Sequence, residues 1–387
     1  MLNHNVAFRG GATFFRALHL AQGLVKRGHA VSLLASSSSA LFVFSIRIVE
    51  GVELVLAPGI FPRRLRYGYD FYEAVHRCFW VSQRRFDIVH AFDSRPTVIY
   101  PALVAARQGA RLVMDWCDWF GKGGAVEQRP NRLVRRLLRP LETYYEEHFR
   151  IRADAITVLN PVLGQKARQI GVPEQKVYDL PNGADPERIQ PGDIVTSRVN
   201  LGLPQDIPII GYMGSLFAQD AQLLLTAFDQ VRQLYPTARL IFIGDPKIAL
   251  PEDPALIKPG FLPIDQVNQY LAACDVLCLP LSDTSANQGR TPSKLGDYLS
   301  AGRPVAACAV GEVSVILKDT ASGLAVAPNA NELARALLQL LNDPGLRRRM
   351  GTSGRRAVEI KYNWKALSQE LEQIYQVLLT ESDGLAN

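Results

Sequence analysis

Nothing in this sequence is apolar for the roughly 20 consecutive residues that a membrane-spanning helix needs. Its apolar runs, such as Leu41–Phe44 and Val276–Leu281, are the length of strands. The opening Met1-Leu2-Asn3-His4-Asn5 has neither the basic stretch nor the apolar segment of a secretion signal. These absences predict a chain that stays in the cytoplasm. Cysteine is scarce, at 5 residues, an odd number with no C-x-x-C. That excludes a disulfide framework and gives no support to a zinc site, so no metal is expected. Cys274 and Cys278 flank an apolar run and read as core packing. No basic stretch interleaved with aromatics is present, which speaks against nucleic acid as a partner. No repeat of 20–50 residues is visible, which speaks against a solenoid. There is no G-x-G-x-x-G and no acidic residue placed for a ribose after a second strand, so a nicotinamide dehydrogenase is disfavoured.

What is present is the composition of a folded protein. Of 387 residues, 48% are hydrophobic and 21% charged, and that length suits two domains better than one. The net charge is +6, with arginines clustered at Arg63/Arg64/Arg66, Arg132/Arg135/Arg136/Arg139 and Arg347–Arg349. A basic balance favours anionic partners. The segment Asn131–Leu141 sets Leu133, Leu137 and Leu138 beside arginines on a helix. It suits peripheral contact with an anionic membrane at its inner face, and a solvated helix face accounts for the same pattern.

Short apolar runs alternate with amphipathic stretches of helix length. Strands are expected at Val6–Phe8, Ala30–Ala35, Val52–Leu56, Ile88–Ala91, Arg111–Asp115, Ala155–Val158 and Lys176–Leu180. The first helix carries Phe14, Leu18, Ala21 and Val25 on one face and stops at Gly28. A proline-rich break then reads as a linker over 186–206. A second set follows, with strands at Pro208–Met213, Arg239–Ile243, Val276–Pro280, Pro304–Ala307 and Leu324–Val326 and helices between them. The expected fold class is α/β: two Rossmann-like, doubly wound domains facing across a cleft, the first over 1–185, the second over 207–360, with a last helix in 361–387.

Two segments carry candidate chemistry. Gly10 and Gly11 lie between the first strand and the first helix, where backbone N–H groups favour an anion or a sugar hydroxyl. The richer segment is Pro280–Ala307, which passes from strand through loop to helix and strand. Arg290 and Lys294 flank the helix start, Pro292 leads into it, and Ser293 is placed to cap it. Cations and N–H groups together suit a diphosphate. Asp297 lies ~6 Å further along the helix, at the right reach to accept hydrogen bonds from a ribose.

With Leu180-Pro181-Asn182-Gly183-Ala184-Asp185 and Ile210-Gly211-Tyr212-Met213-Gly214-Ser215-Leu216, that segment resembles the family 4 glycosyltransferases of the GT-B fold. The likeness continues through Asp275-Val276-Leu277, Gly302-Arg303-Pro304-Val305 and Tyr362-Asn363-Trp364, and so covers most of the chain. The resemblance implies metal-independent transfer of a sugar from a nucleotide diphosphate donor, with retention and without a cofactor, to a glycan, lipid-linked or small hydroxyl acceptor, as in polysaccharide biosynthesis. It puts the donor in the second domain, with Gly214 in contact, and sends the last helix back to the first domain. Four positions depart from the pattern: Gly289 stands where the family has a Glu, Ser215 at its Arg with Asp220 near its Lys, and Phe92 at the second His of His-x-His, here His90-Ala91-Phe92. The departures keep two other readings open, a degenerate sugar-nucleotide or glycan binder and a sugar-nucleotide epimerase.

With that His missing, acceptor-side chemistry is expected from carboxylates after the strands. Asp118 is favoured, Asp93 stands second, and Asp115 shares the loop of Asp118; Trp119 or Trp116 would stack on a sugar. His19 reads as packed or solvated. So few residues precede the Gly-Gly turn that either the first strand is short or residues ahead of Met1 belong to it.

Overall fold

The computed structural model of the chain describes residues 1–8, 11–38, 42–60, 68–129 and 131–383. They divide into two compact units, one of Met1–Asn182 with the chain from Trp364 onward, the other of Gly183–Asn363. In the first, the strands are β1 (Leu2–Val6), β2 (Ser32–Ser36), β3 (Ser45–Val49), β4 (Val52–Ala57), β5 (Ile88–Phe92), β6 (Arg111–Trp116), β7 (Ala155–Val158) and β8 (Val177–Asp179). They form one sheet in the order β3-β4-β2-β1-β5-β6-β7-β8. All are parallel except the edge strand β3, which runs against β4. Its helices are α1 (Ala12–Lys26), α2 (Phe71–Ser82), α3 (Pro96–Arg107), α4 (Arg132–His148) and α5 (Pro161–Gln169).

The second unit holds α6 (Ile194–Asn200), β9 (Ile209–Met213), α7 (Ala218–Leu234), β10 (Arg239–Ile243), β11 (Leu256–Gly260), α8 (Ile264–Ala273) and β12 (Val276–Leu279). It continues with α9 (Ser285–Gln288), α10 (Lys294–Ser300), β13 (Val305–Cys308), α11 (Val313–Asp319), β14 (Gly323–Val326), α12 (Ala330–Asn342) and α13 (Pro344–Ile360). Its sheet is wholly parallel, in the order β11-β10-β9-β12-β13-β14. Chain order reverses between β1 and β5 in one sheet and between β9 and β12 in the other. Those reversals are where doubly wound sheets bind ligands, beyond the C-terminal ends of their strands.

The apolar spacing read from the sequence explains most of these elements. Phe14, Ala17, Leu18, Ala21 and Leu24 are the buried face of α1. Gly28 follows its end at φ +96°, a left-handed turn that lets His29 N–H reach Leu24 O. β12 and β13 are buried along their whole length, which is why they read as unbroken apolar runs, and Cys274, Cys278 and Cys308 are core residues. Some details differ from the expectation. The first strand is Leu2–Val6 and not Val6–Phe8, because residues 2 to 6 pair with β2 and β5. β3 escaped notice because Ile46 and Ile48 are exposed on an edge, so its alternation marks no core face. The segment 186–206 contains α6, capped by Asp193 accepting from Thr196 N–H at 2.8 Å. Arg198 ties α6 to Ala273 O at 2.9 Å and Asp275 at 2.8 Å, so this stretch is part of the second unit.

The last helix, α14 (Trp364–Asp383), packs in the first unit. Leu367 and Leu371 share a core with Phe14 and Leu18, Glu372 takes His29 at 2.7 Å, and Tyr375 meets His90 at 2.7 Å.

Arg16 of α1 is the main polar anchor of that unit. It is 2% exposed, and its Nε and Nη2 donate to the two carboxylate oxygens of Asp115 in β6 at 3.0 and 2.9 Å. Its remaining hydrogens go to Leu180 O, Pro181 O and Asn182 Oδ1. Thr157 donates to the same carboxylate. Burial alone would raise the Asp115 pKa; Arg16 outweighs it and holds the group below the usual carboxylate range. Asp115→Ala should therefore cost about 3–5 kcal/mol in urea unfolding, because Arg16 is left charged and unpaired. In the wild type the stabilisation from this ionised carboxylate is full above the ordinary aspartate pKa and is lost as pH falls through the depressed one.

Candidate functional site

In the second unit, β9 leads straight into Gly214, whose φ of +113° turns the chain sharply off the sheet. That φ favours glycine, and a Cβ there would stand 3.0 Å from Lys294 Nζ, so the lysine end would have to move slightly. Lys294 opens α10 and donates to Tyr212 Oη at 2.7 Å, with its ammonium 4.4 Å from the centre of that ring. Burial first, and then Arg290, push its pKa down to about 8.

Arg290 is held from the other side. Asp220 stands 3.7 Å from its guanidinium and also accepts from Ser282 N–H at 2.8 Å and Ser282 Oγ at 2.7 Å. Ser282 follows β12. The carboxylate therefore fixes the loop at the strand reversal and faces a cation at the same time. Sequence reasoning noted Asp220 only as an acid near a family lysine position; its anchoring role depends on Ser282, which lies far away in sequence.

Asp297 sits one turn into α10. Gly296 lets the Ala184 backbone lie against that helix, where a Cβ would come within 2.8 Å of Ala184 Cβ. Asp185 and Arg188 are thereby brought into range of Asp297. Burial pushes its pKa up to about 7; Arg188 opposes this, Asp185 adds to it, and Lys294 opposes it. Pro292 and Ser293 begin the helical turn, yet Ser293 is not the expected cap. Its backbone is already helical at φ −56° and ψ −30°, it is exposed, and its hydroxyl makes no capping bond. α10 is only 7 residues long, so the positive charge here comes from the side chains of Arg290 and Lys294 more than from the helix end.

In the first unit, Asp93 follows β5 directly at φ +98°. His4 Nδ1 is 2.8 Å from its carboxylate and Arg95 Nε 3.8 Å, while Arg95 also meets His4 Nε2 at 2.9 Å. Burial would raise its pKa; His4 and Arg95 together hold it well below the usual range. Asp93 is thus a fixed anion. Phe92 before it is fully buried and stacks on His90 at 4.3 Å. His90, kept neutral by burial with a pKa of about 3, is core.

Asp118 and Trp119 are half-buried on the loop after β6. The loop is organised by Glu146 of α4, a residue that sequence reasoning missed. It accepts from Trp116 Nε1 at 3.1 Å, Phe120 N–H at 2.8 Å, Gly121 N–H at 2.8 Å and Lys166 Nζ at 3.1 Å. Trp119 lies beneath Lys166, 4.2 Å from ring centre to ammonium, and donates to Lys122 O. Two expectations are corrected. Trp116 is fully buried with Arg150 4.0 Å over its ring, so it offers no sugar platform. Asp115 lies inside β6, engaged by Arg16, and is not a loop acid. Gly11 caps α1 in extended backbone, and a Cβ on it would meet nothing within 4 Å, so the chain itself does not demand glycine there. Gly10 and the arginines at 63, 64 and 66 lie outside the described residues. His19 stacks on Trp364 at 5.1 Å.

The raised Asp297 pKa sets a pH test. The folded state loses stability as pH climbs from about 4, the ordinary aspartate value, to about 7. Asp297→Asn removes that loss. It should stabilise the protein at pH 8 by about 1–2 kcal/mol, allowing for solvent screening, and change little at pH 4. Thermal unfolding at the two pH values checks this.

Two family models match the chain in series. Glycosyltransferase Family 4 takes residues 13–188, and Glycosyl transferases group 1 takes residues 207–343. The 2-deoxystreptamine glucosyltransferase of Streptomyces kanamyceticus is 28% identical over 261 residues, 63% of this chain and 66% of its own. A GDP-mannose-dependent monoacylated alpha-(1-6)-phosphatidylinositol monomannoside mannosyltransferase of Corynebacterium glutamicum is 29% identical over 213 residues, 51% of this chain and 55% of its own. The chain thus matches little more than half to two thirds of the length of these relatives. Sucrose-phosphate synthase from Thermosynechococcus elongatus superposes with a TM-score of 0.75 at 19% identity, over 96% of this chain and 94% of that one, and so shares the fold. With matching models over both units the chain belongs to the family 4 glycosyltransferases, and its two mostly parallel sheets and this structural likeness show the GT-B fold.

Proposed function

We propose that the chain transfers a sugar from a nucleotide diphosphate donor to a hydroxyl of a glycan, lipid-linked or small-molecule acceptor, with retention at the anomeric carbon. The observation that carries this is the convergence of Arg290, Lys294 and Gly214 at the strand reversal of the second unit. A diphosphate placed there would meet two cations and a backbone turn free of a side chain. Lys294 would leave the Tyr212 hydroxyl for a phosphate oxygen. Asp297 would accept from the ribose, and the turn at Pro292 and Ser293 would border the nucleotide. Because Arg290 and Lys294 meet the charge of the leaving diphosphate, this reading needs no divalent cation and no cofactor.

On the acceptor side, Asp118 would orient or deprotonate the incoming hydroxyl, with Trp119, Gly10 and Gly11 shaping the site. Asp93, tied to His4 and Arg95, would act as a fixed negative charge and not as a proton acceptor. The protein would work in the cytoplasm, at the inner face of an anionic membrane where the acceptor is lipid-linked. Phe92, buried where the family often has a histidine, favours a second reading, a binder of sugar nucleotides without turnover. Slow hydrolysis of donor in the absence of acceptor speaks for the enzyme, and tight binding with no turnover for the binder. An epimerised donor would mark the third reading.

A panel of UDP-, GDP- and ADP-sugars scored by thermal shift tests the donor site, since a ligand bound only by the folded state raises Tm. Arg290→Ala with Lys294→Ala should weaken nucleotide binding about a hundredfold or more, given about 1.5–3 kcal/mol for each charged hydrogen bond. In the wild type, affinity should fall as pH rises through about 8, where Lys294 loses its proton. Lys294→Gln should abolish that dependence, and unchanged affinity in the double variant would sink the assignment. Asp118→Asn should lower turnover with little change in nucleotide binding; full activity would remove Asp118 from its role.

A further inference from the structure

α4 has two halves of opposite character. Its second half is buried through Glu142, Tyr145 and Glu146, and Glu146 holds the loop that bears Asp118 and Trp119. Its first half stands out from the unit. Leu133 and Leu137 are each 66% exposed, and Leu141 and Tyr144 are exposed as well. At 3.6 residues per turn these four fall within about 80° of arc, on the side away from Glu142 and Glu146. An apolar stripe facing away from the core is the reverse of what a packed surface helix shows. Leu138, expected to share that stripe, is half-buried and turns toward the unit.

Beside Leu133 and Leu137 the charges are of one sign, and the acid that borders Tyr144, Glu147, is paired with Lys166 at 3.3 Å. Arg132 and Arg136 border it, exposed and without an ion-pair partner among the described residues. Arg139 and Arg135 lie further round and are engaged by Glu127, the first at 2.9 Å through its carboxylate and the second at 3.2 Å through its backbone oxygen. No acid occurs between Asn131 and Leu141. The Asn131 side chain caps the helix by accepting from Leu133 and Val134 N–H, so this half is formed before any partner arrives.

We propose that the first half of α4 seats in an anionic lipid surface. Leu133, Leu137, Leu141 and Tyr144 would enter the boundary between headgroups and acyl chains, while Arg132 and Arg136 extend to the phosphates. A convex ridge edged by cations matches a flat, deformable, negatively charged surface. From Leu133 to Glu146 is about 20 Å along the helix, so docking would hold the loop of Asp118 within that distance of the headgroups. That last consequence rests on the acceptor reading above; the docking itself does not.

The test is flotation of the full chain with vesicles of phosphatidylcholine containing about a third phosphatidylglycerol, without donor, against vesicles of phosphatidylcholine alone. The expected result is binding to the anionic vesicles that weakens as salt rises, and little binding to the neutral ones. Leu133→Gln with Leu137→Gln should reduce binding tenfold or more, and Arg132→Glu with Arg136→Glu likewise, with Tm unchanged because all four side chains are exposed. Retained binding in either variant, equal binding to neutral vesicles, or no binding by the wild type would overturn the proposal. So would a dimer seen by light scattering and lost in the leucine variant, which would make the ridge a contact between copies. Nucleotide-induced Tm shifts in the same variants keep the donor assignment separate, since they should stay as in the wild type.

Discussion

One guanidinium sets the geometry of the first unit. Arg16 projects from α1 and satisfies all five of its hydrogens: two on Asp115, one on Asn182, and two on the carbonyls of Leu180 and Pro181. A planar fork of donors cannot be so satisfied unless the helix, β6 and the chain leaving β8 hold one fixed arrangement. The loop after β6 then begins at a defined place, and so does the segment that leaves the unit at Asn182. The charge is tolerated in the core because its counterion and acceptors are complete.

The second unit uses carboxylates in the same capacity. Asp275 receives Ile209 N–H at 2.8 Å and Arg198 at 2.8 Å, which joins β9, α6 and the start of β12. Asp220 joins α7 to the loop after β12. At the β9/β12 reversal Asp220 is therefore fixed by Ser282 and Lys294 by the Tyr212 hydroxyl. Preorganisation of this kind is what stabilisation of a diphosphate leaving group requires.

Most of the fold could be read from the sequence because its signals are local. Buried parallel strands such as Val276–Leu279 are apolar runs, and α8 shows its helical period over the Ile264–Ala273 that form it. β3 and β11 gave no such signal, one being an exposed edge and the other, Leu256–Gly260, carrying a lysine and a proline. The proximity of Gly214, Arg290, Lys294 and Asp297, the residues proposed for the donor, could be anticipated because they come from two short motifs that meet at one sheet end. The partners that tune them were not. Tyr212 under Lys294, Ser282 on Asp220 and Asp185 beside Asp297 are contacts between distant segments. The candidate acceptor-side acids were the least legible: a lone Asp carries no sign of whether it lies buried and ion-paired, as Asp93 and Asp115 do, or half-buried on a loop, as Asp118 does.

Glu146 reaches the loop after β6 chiefly through backbone, at Phe120 N–H and Gly121 N–H. The path of that loop is thus specified from α4 and only weakly by the loop's own side chains. The Lys122 side chain can be exchanged while the backbone keeps its course, because the loop meets Glu146 and Thr143 through its own N–H groups. Such a division lets point substitutions change the surface that the loop presents without rebuilding the scaffold that holds it.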